Sequence, residues 1–132
     1  MATAERVSHI PFRCWDRDAA FAFFTEALGF EPHPRGPITY VRLGEQLVEL
    51  LPGEQSGSPE SAPYIFGIEV ANLDGAIEHV GRYGSELLRP IGTPTSFWGR
   101  QAVVSVPGGP PIALREYEPP DGPTFTEWRP RS

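Results

Sequence analysis

The chain contains no lysine: all eleven basic residues are arginine. Chemistry that needs a lysine Schiff base or a phosphate-loop lysine is therefore excluded. Cysteine occurs once, as Cys14, so no internal disulfide can form and a reducing cytoplasm is the expected location. Apolar residues make up 39% of the chain, and no apolar run approaches the roughly 18 residues that span a bilayer. Met1 to Ser8 lacks the charged-then-apolar pattern of an export signal, so export is not expected. There is no basic run either. With a net charge of −6, neither nucleic acid nor an anionic membrane is an expected partner.

Proline and glycine, by contrast, are plentiful, at 16 and 14 of 132 residues. That balance suits a β-rich, turn-rich fold of one compact domain better than a helical bundle.

In the first half, Ile10, Phe12 and Cys14 alternate with His9, Pro11 and Arg13, the period-two pattern of a strand with one buried face. Asp16 or Asp18 can cap a following helix. Its apolar stripe is Ala20, Phe21, Phe23, Phe24, Ala27 and Leu28, and Gly29 suits its end. Glu31–Pro37 reads as turn-rich, with a weakly marked strand near Phe30. Ile38–Leu43 and Gln46–Leu51 read as strands joined by a tight turn at Gly44-Glu45. After a Gly-, Ser-, Pro- and Glu-rich linker the pattern restarts. Tyr64–Val70 alternates, Asn72 or Asp74 caps a helix with the stripe Leu73, Ala76, Ile77, Val80 and Tyr83, and Gly84 ends it. Glu86–Leu88, Gln101–Val106 and Pro111–Glu116 follow as strands.

A shift of 56 positions lays Asp16 on Asn72, Asp18 on Asp74, Phe21 on Ile77 and Phe24 on Val80. A shift of 64 lays Gly44 on Gly108 and Val48-Glu49-Leu50 on Ile112-Ala113-Leu114. An internal repeat explains both. The expected fold is α+β: two tandem βαβββ modules, residues 6–52 and 63–117, forming a cupped mixed sheet with the helices outside. Residues 53–62 are the linker, and 118–132 form a tail rich in Pro, charge and aromatics, all within a single domain spanning 1–132.

This order of elements resembles the vicinal-oxygen-chelate (VOC) superfamily of glyoxalases, bleomycin-resistance proteins and dioxygenases. The matching stretches are His9-Ile10-Pro11-Phe12, Asp16, Ala20–Phe24 and Leu28-Gly29-Phe30, then Gly67–Val70 and Leu73–Ala76. Near the end, Trp98-Gly99-Arg100 and Val106-Pro107-Gly108-Gly109 are similar to a second module of bleomycin-resistance type. The resemblance covers about residues 6 to 117 and rests on order and spacing rather than on any one motif.

In metal-binding members, each module implies one ligand on its first strand and one on its last. Here the first module offers His9 and Glu49, whereas the second offers Ile65 and Ala113, which cannot ligate. Glu69 shares the phase of Ile65 but lies about 13 Å along the strand. Glu116, three residues beyond Ala113, is expected on the opposite face, and Arg115 would repel a cation. Two protein ligands make a weak divalent site, so no cofactor is the expectation and a divalent metal held by His9 and Glu49 is the alternative.

His9 and Glu49 are the candidate catalytic pair, either a proton-transfer couple or a merely hydrogen-bonded one. Arg13, Glu69 and Arg115 share the cup-facing phase and are candidates for holding a polar or anionic ligand, with mutual salt bridges as the other reading. Tyr40, Arg42 and Trp98 are candidates for the mouth of the site, where aromatics offer stacking area to a flat ligand. His33 and His79 are expected at the surface, and Cys14 as inert core. The resemblance implies a homodimer that sequesters a small molecule, a drug or a metabolite. The rival is a lyase-, isomerase- or dioxygenase-type enzyme, metal-free or with a weakly held metal.

Overall fold

Alternation in the first half does produce a strand, β1 (Ile10–Cys14), with Phe12 and Cys14 buried. In the computed structural model the described residues are 3–55, 57–89 and 100–116. Trp98 and the tail 118–132 lie outside them. Asp16 opens helix α1 (Arg17–Ala22) by accepting a hydrogen bond from the Ala19 amide at 3.1 Å. A π-helical turn, Phe23–Ala27, continues it, closed by Leu28 N–H donating to the Phe23 carbonyl at 3.2 Å. The wider turn turns Phe23, Phe24 and Ala27 inward together. Phe24 then packs edge-to-face on Phe12, with ring centroids 5.1 Å apart, and on Phe30 at 5.2 Å. Truncating such a ring costs about 3–5 kcal/mol. Gly29, at φ 77, ends the segment in the left-handed region that favours glycine.

Strands β2 (Glu31–Arg35), β3 (Ile38–Leu43) and β4 (Gln46–Pro52) complete the first module. The sheet order is β1-β4-β3-β2, with β1 parallel to β4 and the other pairs antiparallel. Strand β2 replaces the turn expected over residues 31–37. Pro32 and Pro34 lack N–H donors, but an edge strand is hydrogen-bonded on one side only and tolerates them.

The second module repeats the plan with β5 (Gly67–Glu69), α2 (Leu73–Gly81), β6 (Leu87–Arg89), β7 (Arg100–Val106) and β8 (Gly109–Glu116). Its order is β5-β8-β7-β6, with β5 parallel to β8. Strand β5 is shorter than the alternation over 64–70 suggests, although Ile65 and Val70 still donate to the Pro111 and Arg115 carbonyls. Asn72 caps α2 as Asp16 caps α1, accepting from the Gly75 amide at 3.1 Å. Tyr83, placed in the apolar stripe by spacing, is exposed beyond the helix end.

The fold is thus α+β, two four-stranded mixed sheets each built as βαβββ. Its contacts divide into two compact units. Met1–Gly57 with Val106–Pro110 form one, and Ser58–Ser105 with Pro111–Ser132 form the other. Within the first, Trp15 and Asp16 amides donate to the Gly108 carbonyl at 2.8 and 3.0 Å. No described helix is long and apolar enough to cross a membrane.

Candidate functional site

Strand geometry divides the first sheet into two faces. Phe12, Cys14, Val41, Val48 and Leu50 occupy one phase and are all buried. Arg13, Tyr40, Arg42 and Glu49 occupy the other, with His9 just ahead of β1 continuing its alternation. Register makes a row of this second face: Pro11 opposite Glu49, Glu49 opposite Tyr40, and Tyr40 opposite His33.

His9 Nε2 lies 3.5 Å from Glu49 Oε1, as the repeat argument anticipates. The histidine side chain is 42% exposed and the carboxylate only 14%, so water reaches the imidazole more freely than the acid. Ser8 Oγ sits 2.9 Å from His9 Nδ1. If Ser8 donates there, the proton on Nε2 faces Glu49; the reverse tautomer makes Ser8 the acceptor.

The arginines of this face turn to other partners. Arg42 pairs with Glu31 and donates to the Gly44 carbonyl at 3.4 Å. Arg13 reaches the Pro52 carbonyl at 3.5 Å, while an added Cβ on Gly53 would lie 2.7 Å from its own Cβ. Tyr40 borders a hollow of about 310 Å³ between α1 and the β2–β3 edge, with Phe21, Pro32, Pro34 and Ile38, but His9 and Glu49 do not line it.

In the second module Gly67 stands opposite Ala113 and Glu69 opposite Arg115. Offsets of 56 and 64 carry the Pro11–Glu49 pair onto Gly67–Ala113, so the alignment of the repeat holds in register. Arg115 hydrogen-bonds Gln101, and Glu69 is exposed. Glu116 points to the helix side as expected: its Oε2 accepts from the Leu73 amide at 2.6 Å, at the start of α2. Trp98 lies outside the described residues.

His33 was expected in a surface turn. It is instead half-buried on β2, its ring 6.3 Å from Tyr40. The sequence signal was present, because Glu31, His33 and Arg35 alternate with two prolines. His79 is exposed, as expected, and rests against Tyr83. Cys14 is buried, and its thiol donates to the Leu51 carbonyl at 3.3 Å. Burial pushes its pKa up, with the Arg17 charge a smaller opposing influence.

Among the described residues the possible metal donors are few. His9 and Glu49 supply two ligands, Ile65 and Ala113 none, and no group of three or more His, Cys, Asp or Glu that could hold an ion occurs among the described residues.

The model of the Glyoxalase/Bleomycin resistance protein/Dioxygenase superfamily matches residues 6–123. No curated protein matches the chain. Among solved structures, TnmS3, an antibiotic binding protein from Streptomyces sp. CB03234, is 21% identical with a TM-score of 0.68, covering 89% of this chain and 100% of its own. The fosfomycin resistance protein FosX from Mesorhizobium loti is 19% identical with a TM-score of 0.68, covering 95% of this chain and 98% of its own. A mutant FosX from Listeria monocytogenes, complexed with Mn(II) and 1S,2S-dihydroxypropylphosphonic acid, is 16% identical with a TM-score of 0.70, covering 87% of this chain and 90% of its own.

Proposed function

The chain belongs to the Glyoxalase/Bleomycin resistance protein/Dioxygenase superfamily, and from that premise we propose that it sequesters a small molecule, a drug or a metabolite, without a resident metal. The ligand lies on the exposed face of the first sheet, against His9, Tyr40 and Glu49. One observation carries this reading: Glu49 keeps a partly shielded carboxylate beside His9, while the matching second-module position is Ala113, which has no donor. A polar focus survives there, but the full ligand set of a metal enzyme does not. The antibiotic-binding neighbour TnmS3 supports a binding role on this scaffold. A homodimer is the proposed assembly, to be checked by sedimentation equilibrium.

The test has two arms. Titration of purified protein with Zn, Ni, Mn and Fe(II) is expected to give no stoichiometric binding. A stoichiometric ion that Glu49→Ala abolishes would put a metal-dependent enzyme first. A thermal-shift screen of metabolites and antibiotics is expected to yield stabilising ligands whose affinity falls about tenfold in Glu49→Ala. A screen in which every stabilising compound is indifferent to Glu49 and His9 refutes the site.

A second reading has one observation in its favour, the Ser8–His9–Glu49 alignment at 2.9 and 3.5 Å. Such a chain can move a proton, which suits a metal-free isomerisation, cyclisation or lyase step. It predicts that His9→Ala abolishes turnover of a bound compound while binding persists.

A further inference from the structure

Tyr40 has an imidazole on each of two sides. The His9 ring lies 6.5 Å away at an interplanar angle of 88°, and the His33 ring 6.3 Å away at 79°. Both are edge-to-face contacts, which hold the phenol ring by its quadrupole as well as by packing. Glu49 stands beside Tyr40 on the neighbouring strand, so the row Glu49–Tyr40–His33 crosses three adjacent strands. At the usual strand spacing it is about 10 Å long.

The charges along this row are unevenly satisfied. Arg42 is engaged by Glu31 and the Gly44 carbonyl, while Arg13 is exposed and makes one long contact, 3.5 Å, to the Pro52 carbonyl. Among the described residues, the cation-forming side chain within 4.0 Å of the Glu49 carboxylate is His9 alone. An anionic ligand would meet this carboxylate with no described arginine within 4.0 Å of it. A cationic one would gain a charge-assisted hydrogen bond in a partly shielded setting, where such bonds are strongest.

We infer that this face selects a planar aromatic cation, its charged nitrogen on Glu49 and its ring system against Tyr40 and His33. A two- or three-ring system matches a row of about 10 Å. His33 thereby joins the site as a binding residue. The inference rests on the binding role proposed above for the same face and adds the chemical class of the ligand.

The probe is proflavine, a fluorescent planar aromatic cation, titrated against the full chain by fluorescence anisotropy, with a naphthalene sulfonate as the aromatic anion. Saturable proflavine binding is expected, and much weaker sulfonate binding. Glu49→Gln should weaken proflavine about tenfold and Tyr40→Leu about fivefold. His33→Ala and the milder His33→Gln should each weaken it about threefold. Arg35→Gln, at the exposed end of β2, should leave it unchanged. Near-UV circular dichroism verifies that each variant is folded. Sulfonate binding as tight as proflavine, or full affinity in both folded His33 variants, overturns the inference. If proflavine fails while compounds from the thermal-shift screen still bind through Glu49, the ligand class is wrong and the binding function stands. If nothing binds through Glu49, both fall.

Discussion

In the first module the parallel strand pair sets Pro11 opposite Glu49, and in the second the matching pair is Gly67 and Ala113. The helix N-caps and the hairpin turns that set the backbone repeat are duplicated. Asp16 and Asn72 cap the two helices through the third residue on, and Gly44 and Gly108 make the two hairpin turns at φ 60 and 78. What differs is the side-chain phase opposite the first module's buried one. The first module carries His9, Tyr40 and Glu49 there, whereas the matching second-module positions are Ile65, Val104 and Ala113, the last two of them buried. A duplicated frame is held by caps, turns and buried apolar positions, so residues of the other phase diverge without loss of fold.

The paired turn glycines should separate the two modules most strongly. A Cβ on Gly108 would lie 2.4 Å from the Asp16 carbonyl oxygen, whereas a Cβ on Gly44 meets nothing within 4 Å. Gly108→Ala is expected to destabilise by about 3 kcal/mol, combining backbone strain with a clash against main chain. Gly44→Ala carries only the strain, about 1 kcal/mol. Urea unfolding of the two variants measures the difference, and equal losses would mean that the turns are equivalent after all.

Next in size is the carboxylate that, among the described residues, caps the second helix and has no counterpart at the first. Glu116 maps by the 64-residue offset onto Pro52, which has no carboxylate to offer α1. Removing the Glu116 contact to the Leu73 amide in Glu116→Ala should cost about 1–2 kcal/mol, also read from urea midpoints. A neutral result would show that Asn72 alone suffices to start α2.

The smallest effect separates Cys14 from its counterpart Val70. With its pKa raised by burial in the folded chain, the thiol ionises first in the unfolded one. Its contribution to stability is therefore complete below the unfolded pKa of about 8.5 and is lost as pH rises through the folded value. The slope in that window is at most about 1.4 kcal/mol per pH unit, and Cys14→Ala should remove it. The native thiol should also resist a disulfide reagent at pH 8 until the chain is unfolded, and prompt reaction in the native state would contradict its burial.

Much of the frame was readable before any coordinates. Alternation locates β1, strand-like runs locate β3, β4, β7 and β8, and Asp16 and Asn72 are among the caps named for their helices. Strand β2 is only weakly marked near Phe30, because Pro32 and Pro34 signal a turn and outweigh the alternation of Glu31, His33 and Arg35. His33 was lost with it. Glu116 was assigned to the correct face by parity, but its helix-capping role joins residues 43 positions apart and has no local signature.

The residues alone therefore decided the repeat, its two offsets, the helix starts and the thinness of the ligand set at Ile65 and Ala113, since these depend on local periodicity and on residue chemistry. Tertiary structure decided which polar groups are already engaged. Only folding turns Arg13 and Arg42 toward carbonyls and Glu31, brings His33 to Tyr40, and leaves Glu49 beside His9. Partner choice depends on distances between strands, and no spacing along a single chain encodes them.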